Sequence, residues 1–411
     1  MTKIRNLKNY TFVTIFPISY FVLLNSNLPL VSLDYYKPRP SFWDLDNGML
    51  HLWECYSQVG LNLFTFDYLT FPNLDQCSNF NYGYFSIVSF GLTHLLLNNV
   101  LFWGYIQILV FLLLSMNLNL SIKTKRIIII NLLAAFSPGV FLLFISGNMD
   151  IQIICLLLIS TVLIVSKKEK MALCLIFITA LFKFYTAPVL LLALFLVKRK
   201  HSRIFCMGLI AAMSVTIAYQ MITNPLPPFP DGAQNKFGSG IFDNYLRKLG
   251  VNFSDLSGEI LGIVLLAMCL STIFYCHKKF GRTRDFQVDF SKKEELLYVN
   301  FLIMATTSVC CYLATLNVDY RLTFVALAGV ALLQIPHVKI KYISAIFPYV
   351  WLLSLWIVFP FAALEKYIGV DIQPIGDLLM IGTVSYFIFQ GFFIFNFITN
   401  GKYLVNKSRI S

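Results

Sequence analysis

The predicted fold is an all-α, polytopic transmembrane helical bundle, and three observations on the chain of 411 residues predict it. Hydrophobic residues make up 58% of the chain and charged residues only 13%, with a mean hydropathy of +0.72. A soluble domain carries about a quarter charged residues, so this chain lacks the polar material to cover a globule. Nearly continuous apolar runs of about 16 to 23 residues recur along it, and roughly 20 are needed to cross the hydrocarbon of a bilayer. Finally, the basic residues gather between those runs. Together these features exclude a soluble enzyme, a disulfide-dense secreted module and a disordered tail.

The net charge of +12 is explained by where it sits. Basic clusters fall at Lys3/Arg5/Lys8, Lys123/Lys125/Arg126, Lys167/Lys168/Lys170, Lys198/Arg199/Lys200/Arg203, Lys278/Lys279/Arg282/Arg284, Lys292/Lys293, Lys339/Lys341 and Lys402/Lys407/Arg409, which is 24 of the 32 Lys and Arg. With every cluster on the cytoplasmic side, the positive-inside rule is met along the whole chain. The opposite side then holds 15 of the 20 acids, leaving Glu169, Asp285, Asp289, Glu294 and Glu295 inside. The charge sets topology, and no nucleic-acid partner is expected.

Taken in order, full spans are expected near 11–32, 97–118, 127–146, 150–166, 203–221, 257–276, 297–314, 321–336, 342–364 and 378–399, about ten in all, with both termini cytoplasmic. The first is too long for a signal peptide, contains Pro17 and lacks a small-residue cleavage site, so it reads as an anchor. The run 171–197 is different, because basic clusters flank it at both ends and a single span would misplace one of them. It is predicted to fold into a hairpin of two short helices, Met171–Phe182 and Ala187–Val197, turning at Lys183-Phe184-Tyr185-Thr186. Pro188 suits the first turn of the second half-helix, where its missing N–H costs little. Broken helices at membrane depth survive when buried in protein or lining a cavity, which makes the hairpin tip a place to look for function. The chain is expected to form one transmembrane domain over 1–411, with a long helical first extracytoplasmic loop (33–96) and a second (222–256).

Of nine Cys, seven lie in or at the ends of spans and read as small packing residues. Cys55 and Cys77 share the first outside loop, where a disulfide is chemically permitted; the alternative is two thiols. The five His are scattered without ligand spacing, and no metal or other cofactor is indicated. No phosphate-cradling glycine loop or serine-nucleophile elbow is present.

The chemistry-bearing stretches all fall on the outer side. Ser41-Phe42-Trp43-Asp44-Leu45-Asp46-Asn47-Gly48 leads into an amphipathic segment with His51, Trp53 and Glu54. Aromatic residues there place the loop along the headgroup level. A carboxylate so held, Asp44 or Asp46, can accept a proton from a sugar hydroxyl; the alternative is that both merely cap the loop helix. Gly147-Asn148-Met149-Asp150 is a tight turn that brings a carboxylate to the membrane surface. Lys183, deep in an apolar run, should face a polar cavity or an anionic partner, with snorkelling as the alternative. Asn317-Val318-Asp319-Tyr320-Arg321 supplies an Arg whose planar fork can grip a phosphate, beside an acid that could instead pair with it internally.

In their order and shared side, these residues resemble the GT-C superfamily of integral membrane glycosyltransferases that use polyprenyl-phosphate sugars. The closest likeness is to its bacterial α-mannosyltransferase-like family. The residues behind the likeness are Asp44 in a long first outside loop, Gly60-Leu61-Asn62-Leu63-Phe64, Phe80-Asn81-Tyr82-Gly83, Gly147-Asn148-Met149-Asp150, the Leu181–Pro188 hairpin turn, and Asn317-Val318-Asp319-Tyr320-Arg321, covering roughly residues 1–335. One departure is Gly83, where the family commonly has Pro. The resemblance implies a catalytic base at Asp44, with Asp46 as rival, and donor-phosphate cations at Lys183 and Arg321. It further implies supporting roles for Asn148, Asp150, Asp319 and Tyr320.

The implied reaction moves a hexose, mannose-type, or alternatively a pentose, from a polyprenyl phosphate to a glycan or glycolipid acceptor on the extracytoplasmic face of a bacterial plasma membrane. Two other classes compete. A lipid-linked glycan polymerase or ligase should show a large outside loop rich in Arg, whereas the second loop here contains only Arg247. A flippase or transporter should show charges along a mid-span path and symmetric halves, and no internal repeat is evident.

Overall fold

The computed structural model describes residues 99–118, parts of 129–144, 148–223, 236–237, 256–280, 292–313, 317–318, 321–335, 343–357 and 373–399. The expected span near 11–32 and the loop 33–96, with Cys55 and Cys77, lie outside the described residues. The architecture is all-α. In chain order the helices are α1 (Val100–Leu118), α2 (Asp150–Val165), α3 (Glu169–Phe182), α4 (Pro188–Leu196), α5 (Lys200–Thr223), α6 (Leu256–Phe280), α7 (Lys292–Leu313), α8 (Leu322–Gln334), α9 (Ile343–Ile357) and α10 (Gln373–Thr399). A single 3-10 turn, Phe184–Thr186, separates α3 from α4. Two short extended pieces, β1 (Lys236–Phe237) and β2 (Asn317–Val318), pair antiparallel.

Among the described residues, four stretches are long and apolar enough to cross a membrane: Lys200–Ala218, Ile260–Lys278, Glu294–Leu313 and Pro374–Phe395. Shorter apolar helices are Val100–Ser115, Asp150–Val165, Phe184–Leu196, Leu322–Gln334 and Ala345–Ile357. The outer surfaces are as apolar as the interior. Ile204, Met207 and Val215 on α5 and Ile260, Ile263, Val264 and Met268 on α6 are all exposed, as are Leu101, Phe102 and Leu109 on α1. Water cannot be the solvent of so much contiguous apolar surface, and a lipid bilayer can.

The predicted hairpin over 171–197 is present. Its two half-helices, α3 and α4, start and finish at the same end of the bundle, because the Glu169 carboxylate accepts the backbone N–H groups of Lys198 (2.9 Å) and Arg199 (3.3 Å). Lys198 Nζ also lies 3.0 Å from Glu295 Oε1, so the basic clusters around residues 198 and 292 share that end, as the charge pattern predicts. Three residues, Ser166 to Lys168, reverse the chain between α2 and α3, with Lys167 in the left-handed region at φ 61°. Their N–H groups close onto the last carbonyls of α2, satisfying acceptors that the helix end would otherwise leave bare.

Helix α7 is the hub, packing against α2, α4, α8 and α10. Beside it, α8 and α9 approach closely. Trp351 of α9 is fully buried and donates its indole N–H to the Val325 carbonyl of α8 (3.0 Å). One turn further on, Gly329 leaves room for that indole; a Cβ at this position would overlap the Trp351 ring. Small residues at a contact let helices approach to this degree.

Two outcomes follow from this packing. Gly329→Ala should destabilise the detergent-solubilised chain by about 1–3 kcal/mol, read as a lowered unfolding midpoint, because the buried indole must move. Burial alone would raise the Glu169 carboxyl, yet the N–H groups of Lys198 and Arg199, the Ser202 hydroxyl and the Arg199 charge hold it below the usual value of 4.5. Its stabilising contribution is therefore complete above pH 4.5 and fades as pH falls through the lowered value. The stability gap between the natural chain and Glu169→Gln should accordingly be widest near neutrality and narrow below pH 4.5.

Candidate functional site

At the end of the bundle opposite the basic residues, three turns distant in sequence bring charged side chains together. The first is the approach to α2. Asn148 Oδ1 accepts the Asp150 N–H at 3.0 Å, satisfying one of the donors that a helix start leaves open. Asp150 follows as the first residue of α2, where the positive end of the helix dipole favours a carboxylate. Its side chain is fully buried.

The second turn is the hairpin tip. Helix α2 is about 24 Å long and α3 about 21 Å, at 1.5 Å per residue. Running back alongside α2 from the tight reversal at 166–168, α3 therefore ends level with Asp150. There Lys183 leaves the helix with extended backbone (φ −148°, ψ 123°). Its carbonyl accepts both the N–H (3.2 Å) and the hydroxyl (3.0 Å) of Thr186, so the break leaves that group satisfied. Pro188 then opens α4, as predicted. A cation at the C-terminus of α3 and an acid at the N-terminus of α2 each sit at the favourable pole of a helix.

The third turn leads into α8. Arg321 directly precedes it, and β2 just upstream is tied by backbone to β1 of the second loop, with Lys236 opposite Val318 and Phe237 opposite Asn317.

The cluster closes around Asp150. Lys183 Nζ lies 2.6 Å from Asp150 Oδ1 and donates to Asn148 Oδ1 at 3.2 Å. The Tyr185 hydroxyl donates to the same Asp150 oxygen at 2.8 Å. On the other carboxylate oxygen, Arg321 Nε stands 3.6 Å away. The Arg321 guanidinium carbon lies 4.9 Å from the centre of the Tyr185 ring, which is itself met edge-on by Phe324 of α8 at 5.8 Å. Exposure is graded: the side chains of Asp150 and Lys183 are 0% and 3% exposed, that of Arg321 17%. Two cations, Lys183 and Arg321, thus lie beside one acid, Asp150. Such a constellation suits an anion presented at the Arg321 edge.

The structure thus joins Asn148, Asp150, Lys183 and Arg321, four of the residues singled out by sequence. Of the alternatives for Lys183, the anionic partner is the one found, and it is Asp150. Arg321 also meets Asp150. Asp319 and Tyr320, the neighbours with which it was grouped, lie outside the described residues, as do Asp44 and Asp46. Tyr185 belongs to the cluster; sequence reasoning placed it in the hairpin turn but assigned it no role. Among the described residues, no group of three or more His, Cys, Asp or Glu comes together as a metal site.

Comparison of the chain with protein-family models, with curated proteins and with solved structures returns no match.

Removing the acid should cost more than removing a surface charge, because it strands Lys183 in a medium of low polarity. Asp150→Ala is expected to destabilise the folded chain by about 3–5 kcal/mol, visible as a large drop in unfolding midpoint. Asp150→Asn, which still offers an acceptor to Lys183 and Tyr185, should lose less.

Proposed function

We propose that the protein is an integral membrane glycosyltransferase that moves a sugar, a mannose-type hexose, from a polyprenyl phosphate to a glycan or glycolipid acceptor. The observation that supports this reading is the convergence of Lys183 and Arg321 on Asp150, at the end of the bundle away from the basic clusters. By the positive-inside rule that end faces out of the cell. On this reading about ten spans and the hairpin lie in a bacterial plasma membrane with both termini cytoplasmic.

The chemistry needs two poles. At one, an acceptor hydroxyl attacks the anomeric carbon of the donor sugar while a carboxylate, Asp44 or Asp46, takes its proton. At the other, the bond from the anomeric carbon to the phosphate oxygen breaks and its electron pair leaves with the polyprenyl phosphate. That leaving group departs as an anion and is stabilised by a preorganised cation, for which the Lys183–Arg321 pair is suited. Asn148 and Asp150 build this pole; Asp319 and Tyr320, adjoining Arg321 in sequence, would complete it.

The distribution of buried charge favours a transferase over a flippase or transporter. Among the described residues, the buried charged side chains are Asp150, Glu169, Lys183 and Asp377, each within a turn of a helix end. A translocation path would instead string them through mid-span. The glycan polymerase or ligase reading shares the outward-facing site and differs in the acceptor.

The deciding experiment is sugar transfer in membranes from a polyprenyl-phosphate hexose. Asp44→Asn and Asp46→Asn, made separately and inserted normally, should divide into one variant reduced about 10²–10⁴-fold and one near the natural rate. Full activity in both would overturn the loop-carboxylate mechanism.

A further inference from the structure

The two cations of the cluster are not equivalent. Lys183 Nζ is enclosed, 2.6 Å from Asp150 Oδ1 and 3.2 Å from Asn148 Oδ1, with its side chain 3% exposed. A compact ammonium holds its partners as a point charge, and at these distances its charge is largely compensated by the carboxylate. Arg321 is the more exposed of the two cations, at 17% against 3%, and has two neighbours within the cluster. Asp150 Oδ2 lies 3.6 Å from its Nε, an ion-pair distance without a hydrogen bond, and its Cζ lies over the Tyr185 ring. Tyr185 is fixed in turn by its hydrogen bond to Asp150 and by the edge of Phe324. A guanidinium with an acid 3.6 Å from its Nε and a ring centre 4.9 Å from its Cζ is confined near one position before any ligand arrives, which lowers the ordering cost of binding.

We propose a division of labour that rests on the glycosyltransferase reading: Arg321 alone grips the donor phosphate, Tyr185 and Asp150 are its positioning residues, and Lys183 is the counter-charge that allows Asp150 to be buried. The resemblance assigns both cations to the donor phosphate; the graded exposure and the shared carboxylate separate them. Lys183 then acts through Asp150. Without it, the acid would be stranded beneath Arg321 and would draw the guanidinium inward.

The test is binding of undecaprenyl phosphate, which carries the donor's phosphate without its sugar, to the full-length chain in detergent, alongside the ligand-free unfolding midpoint of each variant. Arg321→Ala should weaken binding about a hundredfold, the scale of a lost charge-assisted hydrogen-bond pair. Tyr185→Leu should weaken it about tenfold, the scale of a desolvated cation–π contact, while Tyr185→Phe, which keeps the ring, should stay within about threefold. That rescue separates positioning of Arg321 from simple support of the fold. The neutral pair Asp150→Asn/Lys183→Gln should retain binding within about tenfold, since Arg321 and the ring beneath it persist. It should also exceed Lys183→Gln alone in unfolding midpoint.

Natural-strength binding by Tyr185→Leu would overturn the positioning role. Loss as deep as that of Arg321→Ala in the neutral pair but not in Asp150→Asn alone would make Lys183 a direct phosphate ligand, and the same loss in both would make Asp150 more than a positioning residue. Failure of the natural chain to bind undecaprenyl phosphate at all would instead remove the glycosyltransferase reading, and this inference with it.

Discussion

The contact between Lys183 and Asp150 governs the arrangement of the bundle end opposite the basic clusters. A lone ammonium or carboxylate in an apolar medium is costly, and mutual attraction offsets that cost only when geometry is close and the remaining polar valences are filled. Here both conditions hold: the pair is at 2.6 Å, and Asn148 and Tyr185 supply further hydrogen bonds. To achieve this, the chain must stop α3 short, at the level where α2 begins. The length of the reversal at 166–168, the length of α3 and the extended backbone at Lys183 all serve that single match.

Much of this was legible in the sequence, for reasons that are themselves physical. The hairpin could be inferred because basic residues on both sides of 171–197 cannot lie across one span, and because Pro188 marks a helix start. The sidedness of Lys198 and Glu295 followed from the same charge rule, and the 3.0 Å ion pair between them agrees with it. That Lys183 should face a polar cavity or an anionic partner, unless it snorkels to the surface, was also readable, since a central ammonium is costly in hydrocarbon. Which partner it took was not. Asp150 is more than thirty residues upstream, and only the antiparallel path of α2 and α3 brings the two level. Tyr185, though placed in the hairpin turn, received no role of its own because it is one of 21 Tyr in an aromatic-rich chain and its role depends on where Arg321 falls. The pairing of Lys236–Phe237 with Asn317–Val318 joins a loop to a turn about eighty residues away, and two-residue pairings leave no periodic trace.

The opposite end of the bundle is held by a different logic. Glu169 accepts backbone donors at the approach to α5, and Lys198 reaches Glu295, so charges there close a seam between hairpin and hub helix rather than a site. Between the two ends the contacts are apolar and close, as where Gly329 admits the Trp351 indole. A rigid middle matters for the cluster, because three of its members begin or end helices and any tilt of α2, α3 or α8 would separate them.

The order in which the cluster's members occur along the chain bears on biogenesis. Asp150 leaves the ribosome before Lys183, so the hairpin tip reaches the bilayer with its counter-ion already in place, and the translocon need not release an orphan ammonium into lipid. Arg321 emerges more than a hundred residues later, on the order of ten seconds at ordinary rates of synthesis. For that interval the growing polypeptide holds the Lys183–Asp150 ion pair alone, and only the arrival of the Arg321 turn adds the second cation beside Asp150.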